Sequence, residues 1–119
     1  MAGLTEPDGS APLISVVVTA YNRREYLKRA VDSVLCQTLP RDRYEVVVSK
    51  NFQTEFDGEW ASRGVKLVSF DGGGSGRQVV DALRYCRGEV VCFLDDDDMY
   101  LPNKLETVGS AFAKNPELS

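Results

Sequence analysis

Four apolar runs of strand length are spaced along the chain, and stretches of helical periodicity fall between them. Ile14–Ser15–Val16–Val17–Val18–Thr19–Ala20 is β-branched and continuous rather than alternating, as expected of a strand covered on both faces. Asn22 follows as a predicted helix N-cap, with Glu25 three residues on as the return arm of a capping box. Leu27, Ala30, Val31, Val34 and Leu35 then share one helical face, and the helix is expected to stop near Leu39–Pro40. Tyr44–Ser49 reads as a second strand and Val65–Phe70 as a third. Between them, Phe52, Phe56 and Trp60 recur at helical spacing, but Gly58 weakens a helix there and the segment stays open. After the loop Asp71–Gly72–Gly73–Gly74–Ser75–Gly76, a helix is predicted from Arg77 to Arg87, with Val79, Val80, Leu83 and Cys86 inward and Gly88 as its stop. Glu89–Leu94 is the fourth strand. Pro102 suits the first turn of a last helix, on which Leu101, Leu105, Val108 and Phe112 share a face.

Strands alternating with helices predict an α/β fold, a Rossmann-like three-layer α/β/α arrangement around a mostly parallel sheet with right-handed crossovers. A chain of 119 residues is long enough for one such core. The domain is expected over 13–119, behind a flexible N-terminal tail over 1–12 that carries two prolines, two glycines and two acids. That tail lacks the basic and apolar regions of a signal peptide.

Charge and residue usage then narrow the chemistry. A net charge of −4 without a basic run argues against nucleic acid as the main partner. The chain has no histidine, which removes imidazole metal sites, Ser–His and Cys–His nucleophile pairs and imidazole acid–base catalysis together. Cys36, Cys86 and Cys92 have no CxxC spacing and lie in apolar stretches, so they are read as reduced core thiols, consistent with a cytoplasmic setting. No apolar run approaches the ~18 residues of a membrane span.

Against that background one feature stands out. The apolar run Val90–Leu94 delivers four consecutive carboxylates, Asp95 to Asp98, to one point. Open parallel sheets bind ligands beyond the carboxyl ends of their strands. Adjacent anions repel one another, and the usual remedy is a hard divalent cation, often shared with substrate phosphates. Along an extended segment Asp95 and Asp97 project to one side and Asp96 and Asp98 to the other, so a D-x-D pair is aimed at one cation. The competing reading is a solvated acidic turn before a helix N-terminus.

Other segments are less decisive. The glycine loop has neither the G-x-G-x-x-G nor the Walker A spacing and is either a backbone nest for phosphate or a plain loop. Arg77 behind it is a candidate donor to a diphosphate or a surface residue. Thr19 and Tyr21, at the end of the first strand, could hydrogen-bond and stack on a base, or simply pack the rim.

Taken together, Ile14 to Arg23, Leu27 to Thr38 and Arg87 to Asp98, continuing through Pro102, Lys104 and Leu105, resemble the nucleotide-binding half of family 2 glycosyltransferases, which have the GT-A fold. Tyr44–Val48 is similar to the family's second strand. The resemblance implies that Thr19 and Tyr21 hold the base, commonly uracil, that Asp95 and Asp97 bind Mn²⁺ or Mg²⁺ on the diphosphate, and that Asp96 meets the ribose or the metal. It also implies an inverting displacement from a nucleoside-diphosphate sugar, with a UDP-sugar favoured, to an acceptor that it leaves unspecified. Where the family often has Asp–Asp after the second strand, this chain has Lys50–Asn51; Asn51 can replace one hydrogen bond, while Lys50 reverses the local charge. Arg77 is the nearest equivalent of the family's arginine before the fourth strand, in a shifted register.

The family's catalytic base and acceptor site lie well downstream of D-x-D, whereas 21 residues follow Asp98 here (119 less 98). The expectation is a chain that binds the donor without a base of its own, as a truncated or naturally short relative. A nucleotide-binding module without turnover is the alternative. Apolar sheet surface that a longer protein would cover is expected to promote self-association.

Overall fold

The computed structural model describes residues 13–114, so the expected tail over 1–12 lies outside the described residues. Four strands, β1 (Ile14–Ala20), β2 (Tyr44–Lys50), β3 (Lys66–Ser69) and β4 (Val90–Asp95), alternate with four helices, α1 (Leu27–Leu35), α2 (Asp57–Ser62), α3 (Ser75–Leu83) and α4 (Lys104–Lys114). The sheet order is β3-β2-β1-β4, and every pairing is parallel. The chain therefore builds outward from β1 through β2 to β3, then crosses back through α3 to place β4 on the other side of β1. That reversal makes the carboxyl ends of β1 and β4 a topological switch point, where open α/β sheets form their ligand crevice.

The continuous apolar run of β1 is explained by burial on two faces. Val16 and Val18 pack with Leu27, Ala30, Val31 and Val34 of α1, Trp60 of α2 and Leu105 of α4, while Val17 packs with Val47, Val68 and Ala82 of α3. The open segment resolves as the short α2, with Trp60 buried and its ring centroid 5.7 Å from that of Phe56.

Several local expectations are corrected. Asn22 does not cap α1: it takes a φ of +60° and its side chain bonds to Asn51, so the helix starts at Leu27 behind Tyr26, without a side-chain cap. Helix α3 starts and ends earlier than predicted, and it turns Gln78 and Ala82 inward while Val80 and Leu83 are exposed. Small Ala82 allows close approach to the sheet, and periodicity alone did not say which stripe would face it. Gly88 is not the helix stop. A Cβ there would lie 2.6 Å from the Ser15 backbone nitrogen and 2.8 Å from the Leu13 carbonyl oxygen, so glycine is required by close packing on β1. Leu101 is exposed and precedes α4, whose Leu105 is buried. Cys36 is exposed rather than in the core, and Cys86 and Cys92 are half-buried.

Gln37 and Thr38 clasp α1 to the start of α4. The Leu105 N–H donates to Gln37 Oε1 at 2.8 Å, and the Thr38 N–H donates to the Pro102 carbonyl at 2.7 Å. Strand β4 forms one edge of the sheet, and Phe93 on it is half exposed. Among the described residues no helix is long and apolar enough to cross a membrane.

Candidate functional site

The switch point places Thr19 of β1 in register with Asp95 of β4 on one side and Ser49 of β2 on the other. A cleft of about 250 Å³ opens over this rim, lined by Thr19, Tyr21, Arg23, Gln78, Asp95 and Asp97 among others. Gln78 is buried, and its Nε2 donates to the Ala20 carbonyl at 3.2 Å and the Ser49 carbonyl at 3.0 Å. The two carbonyls lie at the carboxyl-terminal ends of β1 and β2, so this one side chain of α3 ties the neighbouring strand ends together. Sequence reasoning missed Gln78; its only signal is a polar residue at the i−4 position of the inward stripe that continues through Ala82 and Cys86.

The four aspartates do not alternate as on a strand. The Asp98 N–H donates to the Asp95 carbonyl at 3.0 Å, closing a turn directly after β4. That turn brings carboxylate oxygens of Asp95, Asp97 and Asp98 within 4.8 Å of one another, all three side chains being exposed. Asp98 thereby joins Asp95 and Asp97, the pair expected from D-x-D, while Asp96 lies outside this cluster. Asp96 is 6% exposed and accepts both Nε (2.9 Å) and Nη2 (2.8 Å) of Arg23 in a bidentate bond. The Asp96 hydrogen bonds, and then its charge, push the guanidinium pKa further upward.

A second cleft of about 470 Å³ lies beside the first, between the carboxyl ends of β2 and β3, with Lys50, Asn51, Phe52, Phe70 and Asp71 on its walls. Tyr21 stands at its border. The ring is nearly half exposed and meets Phe70 edge-on at 6.3 Å. Asn51 is joined to Asn22 by two bonds of 2.7 Å: its Nδ2 donates to Asn22 Oδ1, and its Oδ1 accepts the Asn22 N–H. It therefore clasps the β1 and β2 rims to each other.

The Lys50 charge is internally compensated. Its ammonium is buried and donates to Asp57 Oδ2 at 2.9 Å and to the Phe52 carbonyl at 2.6 Å. Burial opposes the Asp57 charge, but bonds from Thr54 and Lys50 outweigh it and hold that carboxyl below its usual range. Arg77 is not brought to the acidic turn. Its stem lies over Gly73, whose φ of +115° and closeness to Arg77 Cδ (3.0 Å from an added Cβ) both favour glycine.

The family model described as "Glycosyl transferase family 2" matches residues 15–118. This chain belongs to glycosyl transferase family 2. An uncharacterized glycosyltransferase of Rickettsia typhi is 32% identical over 98 residues, which cover 81% of this chain and 30% of that protein. Among solved structures, residues 1–349 of S. aureus TarS in complex with UDP-GlcNAc superpose with a TM-score of 0.77 at 25% identity, covering 87% of this chain and 32% of that one. A mannosyltransferase of Pyrobaculum calidifontis in complex with GDP-Man and Mn²⁺ gives a TM-score of 0.70 at 28% identity, covering 91% and 34%. The chain thus spans about a third of the length of these family 2 proteins. The parallel, Rossmann-like α/β unit described above is the part they share with it.

Proposed function

We propose that this chain is the donor-binding part of an inverting glycosyltransferase, taking a nucleoside-diphosphate sugar, with a UDP-sugar favoured, together with Mn²⁺ or Mg²⁺. The observation that carries this reading is the convergence of Asp95, Asp97 and Asp98 beside Thr19 at the switch point of the sheet. The three carboxylates offer only hard oxygen donors, which fit Mg²⁺ or Mn²⁺. Once bound, such a cation neutralises charge that develops on a departing nucleoside diphosphate. Thr19 and Tyr21 line the path from the acidic turn to the second cleft, a place suited to a ribose and base. Asn51 holds the two rims at that base position, and Lys50, neutralised by Asp57, adds no free charge to it. Asp96 is read as supporting the turn through Arg23 rather than meeting the ribose, and Arg77 as a residue at the loop. The bound ligands of the two solved neighbours, UDP-GlcNAc in one and GDP-Man with Mn²⁺ in the other, support a nucleotide-sugar donor and leave the base to be measured. Three unpaired cysteines favour a cytoplasmic setting.

Calorimetric titration of UDP and GDP, with and without Mn²⁺, tests this reading. The expected result is metal-dependent UDP binding that weakens at least about tenfold in Asp97→Asn. Equal UDP affinity with and without Mn²⁺ overturns the metal role. Metal-dependent binding with no release of UDP from a UDP-sugar, even at high protein concentration, favours the module without turnover. The open β4 edge with exposed Phe93 further supports self-association. Light scattering is expected to show mass rising with concentration, and a monomer over a wide range contradicts it.

A further inference from the structure

Arg23 and Asp96 are separated by 73 positions and join the β1 rim to the turn after β4. The pair is asymmetric. The Asp96 side chain is 8% exposed, whereas that of Arg23 is 45% exposed. The same Nη2 that lies 2.8 Å from Asp96 lies 3.4 Å from Asp97 Oδ2, and the Asp97 side chain is half exposed. The Arg23 guanidinium carbon lies over the Tyr26 ring, 5.8 Å from its centroid. One guanidinium nitrogen is thus divided between the buried carboxylate that leaves the cluster and one of the three that converge.

We propose that Arg23 is the resident counter-ion of the acidic turn, so that a divalent cation reaches Asp97 only in competition with it. This inference rests on the metal reading above. Two consequences follow for the residues of this chain. The fork on Asp96 is a permanent tie, because a buried carboxylate has no water to fall back on. The longer contact to Asp97 is the exchangeable one, because both groups are solvated and the separation exceeds that of a good charged hydrogen bond. A fixed positive charge a few ångströms from the cluster also lowers its attraction for any cation. Arg23 therefore acts as a positioning residue that orders the turn and holds bare-cation affinity down. The site then depends on the anionic donor to draw the cation in. In the absence of a donor the turn keeps its shape, because Arg23 already offsets part of its charge.

The test is Mn²⁺ affinity, read by calorimetry and by the Mn²⁺ electron-spin signal, with and without saturating UDP. Arg23→Gln is expected to bind bare Mn²⁺ about tenfold more tightly, the size of one screened unit charge nearby. Asp96→Asn is expected to bind it about tenfold more weakly, because the guanidinium, released from a charged partner, moves onto Asp97. A merely structural clamp would weaken binding in both, so the same sign in the two variants overturns the proposal. Should Arg23→Gln fail to fold with Asp96 buried alone, the double variant Arg23→Gln/Asp96→Asn replaces it. That variant is expected to bind Mn²⁺ more tightly than Asp96→Asn, and equal or weaker binding overturns the inference. Wild-type Mn²⁺–UDP binding with variant affinities unmoved defeats the inference alone. No Mn²⁺ binding by any of these proteins, with or without UDP, defeats the metal reading and the inference together.

Discussion

The two rims of the sheet use charge in opposite ways. At the amino-terminal rim Glu45 accepts bonds from the Ser15 hydroxyl, the Arg87 N–H and the Lys66 ammonium, and Ser15 in turn accepts the Gly88 N–H at 2.7 Å. One carboxylate and one ammonium there join β1, β2 and β3 in a network of balanced charge. At the carboxyl-terminal rim three carboxylates converge with a single guanidinium shared beside them. A closed network holds the fold; an open one with an excess of negative charge leaves electrostatic work for a ligand. The difference teaches where to look for function among many polar contacts, namely where the charges are left unbalanced.

Breaking the closed rim is expected to cost stability. Gly88→Ala has the largest predicted effect, because its Cβ meets backbone atoms of Leu13 and Ser15 that cannot yield without moving β1. A loss of about 3 kcal/mol is expected from such overpacking, read as a lower urea midpoint at unchanged slope. Glu45→Gln comes next, at about 2 kcal/mol near neutral pH, from hydrogen bonds to a charged group. Burial raises the Glu45 pKa, but the Arg87, Ser15 and Lys66 bonds outweigh it, so the folded value lies below the ordinary 4.5. The native state therefore binds fewer protons than the unfolded chain in that range. The stabilisation is fully present above pH 4.5 and is lost as pH falls through the folded value. Stability curves for wild type and Glu45→Gln should converge on acidification, and parallel curves would contradict the assignment.

At the open rim the same kind of change is expected to act the other way. Asp97→Asn removes one of several like charges from an exposed turn, so unfolding should shift by no more than about 0.5 kcal/mol even as Mn²⁺-dependent UDP binding weakens at least about tenfold. A large loss of stability there would erase the contrast between the rims.

Element order was largely legible because it depends on local periodicity. The two-sided burial of β1 follows from its unbroken run of β-branched residues, and the place of Asp95 follows from the apolar strand before it. Val80 and Leu83 were misplaced for a related reason: apolar residues on a short helix define more than one stripe, and only the sheet selects the buried one. Asn22 shows the limit of capping signatures, since a partner 29 positions away took the side chain that a local motif would have used.

By itself the sequence determined that a parallel α/β unit would carry four carboxylates to the carboxyl end of a strand, since both facts are written in contiguous residues. Tertiary structure alone decided that Asp96 leaves the cluster for Arg23, that Asp98 enters it, that Asp57 neutralises Lys50 and that Gly88 serves packing rather than a helix end. Periodicity is a property of neighbours along the chain. The balance of buried charge depends on which distant groups the fold brings within hydrogen-bond reach, and no local pattern encodes that.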